Sequence, residues 1–417
     1  MSHTTHSNRA LFVGIAAGIG GGLLLAAFPG DHALRTAVLW LVGLVGGMFV
    51  AALKMIMVPL LFASVASGVR SLWQHDGAGR VGAVALGFFA ATAAIAVITG
   101  LLATNVFQPG AGLGSELLAG VFATNDTSSP QLSPDSLVRS LLVDSLQNPF
   151  AALAQAAILP LLVSAVLVGV ACGRNPQALP TLGRLVDELL ALSLMVVGWI
   201  MRLAPLGIAA LLAGLVESAD GALFGALALF AGVVIGSTLL HGLMTLPLLV
   251  WWLGGRSPWA FLSSIRVPMV TALATSSSAA TLPVSLRCAD HDLRVAPGVS
   301  RFVLPLGTTI NMDGTALYEA AAALFIAQLV GIELSLAQQI LVALLAMLAA
   351  IGAPGIPSAG MVTMAVVLQA VGLPVEAVAL LLPIDRLLDA VRTAVNVEGD
   401  LATAVVTERL ALRRMQD

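Results

Sequence analysis

Hydrophobic residues arrive along this chain in long blocks separated by short polar punctuation. Runs such as Ala10–Pro29, Ala37–Pro59, Val81–Phe107, Ala151–Cys172, Leu189–Val216 and Leu223–Leu253 each approach or exceed the length of a membrane-spanning helix, which needs about 20 mostly apolar residues. Six helices are therefore expected before residue 255, and the blocks are unlike the weak alternation of a membrane β-barrel. Beyond residue 255 the apolar runs are interrupted by Ser, Gly and Pro clusters: TSSSAATLP at 275–283, GTTINMDGT at 307–315 and IGAPGIPSAG at 351–360. Irregular backbone at membrane depth survives only where protein or a water-filled cavity receives its free N–H and C=O groups. The pattern predicts two re-entrant hairpins, about 258–293 and 333–369, each followed by a polar helix, 297–328 and 374–412. Hairpin, polar helix, hairpin, polar helix is a repeat, and interrupted segments at matching positions of two halves mark a transporter binding site.

The last of these helices carries an unusual stripe. Asp385, Asp389, Arg392, Asn396 and Asp400 are spaced 4, 3, 4 and 4 residues apart, so they fall within an arc of roughly 80° and along about 22 Å of one helical face. Ionisable groups in hydrocarbon cost roughly 2.5 kcal/mol or more each, so the stripe reads as a partnered, functional interior. A buried structural ion pair of Asp389 with Arg392 is the plainer alternative; it leaves Asp385, Asn396 and Asp400 unexplained.

Composition agrees with a polytopic membrane protein. The 417 residues are 59% hydrophobic and only 10% charged, with mean hydropathy +0.99, too little polar surface for a soluble domain of this size. The segment 108–137, rich in Gly, Ser and Pro, is expected to be an external loop. The N-terminal apolar run lacks a small-residue cleavage site and reads as a retained first helix. Arg70 and Arg80, Arg174 and Arg184, Arg256 and Arg266, and Arg409, Arg413 and Arg414 mark one side, while 108–137 and 217–221 hold acidic residues without Lys or Arg. The positive-inside rule then places both termini in the cytoplasm, with Arg35 as an exception. Cys172 and Cys288 are the only cysteines, which excludes a disulfide scaffold. A net charge of −3 without a basic cluster gives no nucleic-acid footprint.

The motifs suggest their chemistry. GTTINMDGT groups hydroxyl and amide oxygens with Asp313, between Gly307 and Gly314, and such ligands suit a hard cation such as Na⁺, with Met312 as a weak sulfur contact. Asn396 and Asp400 are further oxygen ligands. TSSSAATLP offers N–H groups and hydroxyls to an anion at a hairpin tip, and Gly352, Gly355 and Gly360 suggest a hinge for a gate. Glu319, four residues after Thr315 on the same face, is a candidate proton carrier.

NMDGTALYEAAAALFIAQ at 311–328, SSSAATLPVSLRC at 276–288, IGAPGIPSAGMVTM at 351–364 and DRLLDAVRTAVNVEGD at 385–400 closely resemble the dicarboxylate/amino acid:cation symporter family, which includes the glutamate transporters. The resemblance extends to KMIMVPLLFASVASG at 54–68 and NPFAALAQAAILP at 148–160. It implies an all-α membrane fold of eight transmembrane helices and two re-entrant hairpins in inverted repeats, working as an elevator within a homotrimer. Scaffold helices 1 and 2 would occupy 1–77 and scaffold helices 4 and 5 residues 138–218. The moving part would take helix 3 at 78–107 and everything in 219–417. By matching motif positions, Arg392 resembles the residue that pairs with a substrate side-chain carboxylate and Asp389 the acceptor for its amino group. Ser278, Thr315, Thr393 and Asn396 resemble the remaining polar contacts, with Ile356 and Gly360 contributed by the second hairpin.

Cation positions map by the same resemblance onto Gly307, Asn311, Asn396 and Asp400 for one ion. A second maps onto Thr309 with Met312 and backbone near Ala350 and Ala353, and a third onto Thr92, Asn311 and Asp313. Ala93 departs from the hydroxyl residue usual after Thr92, and Glu319 occupies a place that carries a proton in eukaryotic relatives. Ala279 replaces the third serine of the usual run. The second arginine usual near the site is absent, since Ser276 and Ala390 stand at its two positions, and Arg386 is the arginine nearest to hand.

The reading is a secondary transporter of the cytoplasmic membrane that imports glutamate or aspartate by symport with Na⁺ and/or H⁺, with no organic cofactor. Its macromolecular environment is membrane lipid and copies of itself. A proton-coupled C4-dicarboxylate carrier is the nearest rival, and an ion channel the rival of another class. An intramembrane hydrolase finds no support, because no His, at 3, 6, 32, 75, 241 or 291, falls in these motifs.

Overall fold

In the computed structural model the described residues are 2–27, 33–71, 79–112, 143, 145–155, 157–218, 221–351 and 359–412. They form helices and turns, with no strand among them. In chain order the helices are α1 (Ser2–Ala27), α2 (Ala33–Ser71), α3 (Gly79–Phe107), α4 (Pro149–Gln155), α5 (Ile158–Arg174), α6 (Pro180–Ser218) and α7 (Gly221–Leu240), the last continuing through two π turns to Gly254. The second half holds α8 (Pro258–Thr275), α9 (Ser278–His291), α10 (Pro297–Ile310), α11 (Asp313–Leu329), α12 (Leu336–Ile351), α13 (Ala359–Ala370) and α14 (Val378–Thr407). Among the described residues four helices are long and apolar enough to cross a membrane: Ala33–Arg70, Gly79–Phe107, Pro180–Gly214 and Gly221–Gly254.

Several boundaries differ from the sequence pattern. The second helix does not stop at Pro59 but runs on to Ser71; within a membrane span, neighbouring groups can satisfy the backbone carbonyl that a proline frees. The fourth apolar run, expected to be continuous over Ala151–Cys172, is split into α4 and α5. Ala157 is extended at φ −76° and ψ 100°, and Pro160, whose missing N–H is no loss in the first turn of a helix, stands near the start of α5. Most of 108–137 lies outside the described residues, as do Ala353 and Ile356.

Packing falls into two groups. Helices α1 and α2 lie along α6, and α5 lies on α2. Gly14, Gly18 and Gly22 on α1 let it approach the α6 backbone; a Cβ at Gly18 would stand 2.7 Å from the Ala209 carbonyl oxygen. The other group surrounds α14, with α7, α8, α9, α10, α11 and α13 against it, and α3 against both α7 and α11. The groups touch where α12 and α13 meet α2 and where α14 meets α6.

The expected hairpin at 258–293 is observed as α8, a tight tip and α9. Ser276 caps α8 in the left-handed region at φ 47°, and the Ser277 side chain accepts from the Ala280 N–H to start α9. Helices α12 and α13 occupy the arms expected for 333–369, and its tip, 352–358, lies outside the described residues. The polar helix expected over 297–328 is broken as its Gly-rich motif suggests: α10 ends at Ile310, Asn311 is extended at φ −89° and ψ 97°, and α11 starts at Asp313.

Candidate functional site

The break between α10 and α11 lies against the middle of α14, and Asn396 joins the two. Its Oδ1 accepts the Gly314 N–H at 2.8 Å, and its Nδ2 donates to Thr315 Oγ1 at 3.2 Å and lies 3.3 Å from Met312 Sδ. Those contacts occupy a backbone N–H that the first turn of α11 leaves without a helical partner. Gly314 is required by the approach of the two elements: a Cβ there would stand 2.7 Å from the Arg392 carbonyl oxygen and 2.9 Å from its Cα. Asn311 Nδ2 donates to the Asn396 carbonyl at 3.1 Å and to Asp400 Oδ1 at 2.9 Å, while its own Oδ1 is buried with no hydrogen-bond partner among the described residues. Asp400 lies so close to Gly307 that a Cβ there would overlap its carboxylate.

All five stripe residues of α14 are buried. Arg392 is only 1% exposed; its Nη2 donates to Asp385 Oδ1 at 2.9 Å and to Asp389 Oδ1 at 3.0 Å, and its Cζ lies 3.8 Å from the centre of the Tyr318 ring. The ion-pair alternative is thus present in enlarged form, with Asp385 as a second anion. Asn396 and Asp400, for which that alternative had no account, belong to the neighbouring oxygen cluster. Nε and Nη1 of Arg392 are buried with no hydrogen-bond partner among the described residues, so the guanidinium has donors to spare. Arg386 Nη1 stands 3.7 Å from Asp389 Oδ2, which aims it at the same site.

Helix α13 closes over the guanidinium: a Cβ at Gly360 would lie 3.7 Å from Arg392 Nη2 and 3.3 Å from Thr315 Cγ2. Arg392, Thr315, Asn396 and Gly360 are therefore adjacent, with Asp389 paired to Arg392. Thr393 on α14 and Ser278 at the start of α9 are buried as well. Glu319 is completely buried on α11 and accepts from Thr363 Oγ1 of α13; its Oε2 has no hydrogen-bond partner among the described residues.

Of the cation candidates, Thr92 Oγ1 lies 3.2 Å from Asp313 Oδ1, linking α3 to α11. Thr309 donates to the Leu306 carbonyl, and Ala350 is buried at the end of α12. An orphaned amide oxygen beside a carboxylate is a donor set that fits Na⁺, which takes oxygen ligands. Among the described residues no group of three or more His, Cys, Asp or Glu side chains is arranged to hold a metal.

Four residues escape the sequence reading. Tyr318 lies under Arg392, Thr363 meets Glu319, His241 Nε2 stands 3.2 Å from Asp313 Oδ2, and Glu398 is wholly buried. That Tyr318 is the sole tyrosine, within a polar motif, was a usable signal; His241 and Glu398 sit in runs whose neighbours gave none.

The chain is similar in sequence to known amino acid transporters. A C. elegans excitatory amino acid transporter is 34% identical over 400 residues, covering 85% of this chain and 78% of the relative. The human excitatory amino acid transporter 3 is 33% identical over 418 residues (89% and 79%), and the bovine neutral amino acid transporter B(0) 34% over 415 (93% and 77%). The sequence model of the sodium:dicarboxylate symporter family matches residues 8–410, and the chain belongs to that family, one of transporters and not of enzymes.

Proposed function

We propose that this protein carries an acidic amino acid, aspartate or glutamate, across the cytoplasmic membrane by symport with Na⁺, with a proton at Glu319 as an additional coupling ion. The observation that carries the reading is Arg392, a buried guanidinium between two carboxylates that still has unused donors. A substrate side-chain carboxylate would take those donors, and the substrate ammonium would take Asp389 in exchange for its bond to Arg392. A neutral amino acid would leave the guanidinium with donors unmet in a buried site, and a dicarboxylate lacking an ammonium would face Asp389 unpaired. This favours the acidic amino acids over the neutral substrates named for the bovine relative.

When bound, Na⁺ supplies positive charge that offsets buried carboxylates and holds oxygen ligands from separate elements together. Asn311 Oδ1, Asp400 and the Gly307 backbone are the residues that would hold one such ion. Because Asn396 bridges Met312 and Thr315, ordering the cation cluster would also order the polar contacts beside Arg392. Coupling then has a physical path a single residue wide.

The two packing groups support a scaffold of α1, α2, α4, α5 and α6 and a moving body of α3 and α7 to α14. The remaining finer points follow the family resemblance: eight spans with two re-entrant hairpins, inverted repeats, an elevator motion gated by the second hairpin, a homotrimer in lipid, and cytoplasmic termini. The direct test is competition against labelled L-aspartate uptake in proteoliposomes. Unlabelled glutamate should compete, whereas succinate and alanine should not. Equal competition by succinate, persisting in Asp389→Ala, would establish the dicarboxylate carrier instead.

A further inference from the structure

Half of the chain's six tryptophans fall within nine residues. Trp251, Trp252 and Trp259 flank the junction of α7 and α8, in the sequence WWLGGRSPW, and are 59%, 74% and 83% exposed. An indole is apolar over most of its surface with one N–H that needs a polar partner, so a cluster of them at a helix boundary suits the membrane–water interface.

The same junction gathers arginines from three places in the chain. Gly255 turns the backbone out of α7 in the left-handed region at φ 69°, and the Ser257 side chain starts α8 by accepting the Ala260 N–H. Between them, Arg256 donates from Nη2 to the Leu293 carbonyl, which ties the α9–α10 turn to this one. Arg294, the next residue in that turn, is exposed and left-handed at φ 50°. Arg409, just past α14, donates from Nη1 to the Leu253 carbonyl at 3.4 Å, and a Cβ at Gly255 would overlap its guanidinium.

The carboxylates in these segments do not neutralise them. Glu408 accepts the Ala296 N–H at 2.8 Å and Asp290 accepts from Ser300 Oγ at 2.7 Å, and neither they nor Asp292 forms an ion pair with Arg256, Arg294 or Arg409. A guanidinium has five N–H donors in a planar fork that matches phosphate oxygens, so one bond to a backbone carbonyl leaves Arg256 and Arg409 with donors for an outside acceptor.

We propose that this junction binds the headgroup of an anionic phospholipid, with Arg256, Arg294 and Arg409 toward its phosphodiester and the three indoles beside the glycerol. Charge complementarity selects the occupant, since clustered arginine at a membrane boundary attracts anionic lipid. The flanking indoles argue for a lipid over a free phosphate, which would leave their apolar faces uncovered. The position lies away from the substrate and cation residues in the middle of α14, so the inference stands whichever ion drives transport.

The test uses purified full-length protein in detergent, with thermal unfolding followed as phosphatidylglycerol is added, and phosphatidylcholine of the same acyl chains and inorganic phosphate run in parallel. Phosphatidylglycerol should raise the unfolding temperature at concentrations where the other two do not. Arg294→Asn removes the charge while keeping a residue that tolerates the left-handed backbone, and should raise the half-saturating phosphatidylglycerol concentration by roughly fivefold. Trp252→Leu, which keeps every arginine and an apolar side chain, should raise it too, and carries the test if the Asn variant does not fold. Equal stabilisation by the two lipids overturns the proposal and makes the junction an ordinary lipid-facing surface. Stabilisation by inorganic phosphate at the same concentrations makes it a free-anion site and overturns the lipid assignment. A phosphatidylglycerol response unchanged in both variants places the lipid elsewhere and overturns it as well.

Discussion

Asn396 Oδ1 receives the N–H of Gly314 at 2.8 Å, so the centre of an unbroken helix supplies the hydrogen bond that a broken one lacks at its restart. The same side chain reaches Met312 and Thr315. Replacing Asn396 by Ala should leave a buried N–H unmet, at a cost of about 1–3 kcal/mol. Thermal unfolding should fall accordingly, and aspartate affinity and Na⁺ affinity should weaken together. Weakening of only one would separate the two sites.

Gly314→Ala should be worse than its one added methyl suggests. The new Cβ meets backbone, the Arg392 carbonyl and Cα, which cannot rotate away. Helices α11 and α14 must separate, so folded yield or aspartate binding should be lost. Substitution at Gly225, where a Cβ meets nothing within 4 Å, should be tolerated and serves as the control.

Arg392→Lys should retain the fold, because an ammonium still opposes Asp385 and Asp389, whereas Arg392→Ala strands both anions at a cost of about 3–5 kcal/mol. The lysine has no planar fork and no guanidinium face for Tyr318. Aspartate affinity should drop at least tenfold, about 1.4 kcal/mol, in competition uptake. Parent-like affinity in the Lys variant would remove Arg392 from substrate recognition.

Glu319→Gln tests the proton. Thr363 can still donate to the amide oxygen, so the α11 to α13 contact is kept while the titrating group is lost. Uptake driven by an acid-outside pH gradient alone should be abolished, and uptake driven by Na⁺ should persist. If the variant retains the parent's response to the pH gradient, the proton is carried elsewhere.

Much of this arrangement was legible in the sequence because its signals are local. Gly307 and Gly314 around a polar run announced the break at Asn311, the serines announced the tip at 276–277, and helical spacing alone put Asp385 through Asp400 on one face. Asp385 as a partner of Arg392 was also within reach, since residues seven apart share a face. The stripe's ion pair and its oxygen cluster are both present side by side. His241 and Glu398 were not legible. Each is a single polar residue whose role depends on which helix packs opposite, and no spacing rule joins residue 241 to residue 313. The split of the fourth apolar run was missed for another reason: Pro160 near a helix start and Pro160 breaking a helix read alike until the neighbours are placed.

The account stands most directly on uptake of L-[³H]aspartate into proteoliposomes under an inward Na⁺ gradient alone, with an acid-outside pH gradient alone run in parallel. Accumulation under the Na⁺ gradient, with affinity weakened at least tenfold by Arg392→Lys and with uptake blocked by excess glutamate, is the predicted result. No aspartate accumulation under either gradient, from protein that folds and binds Na⁺, would contradict it.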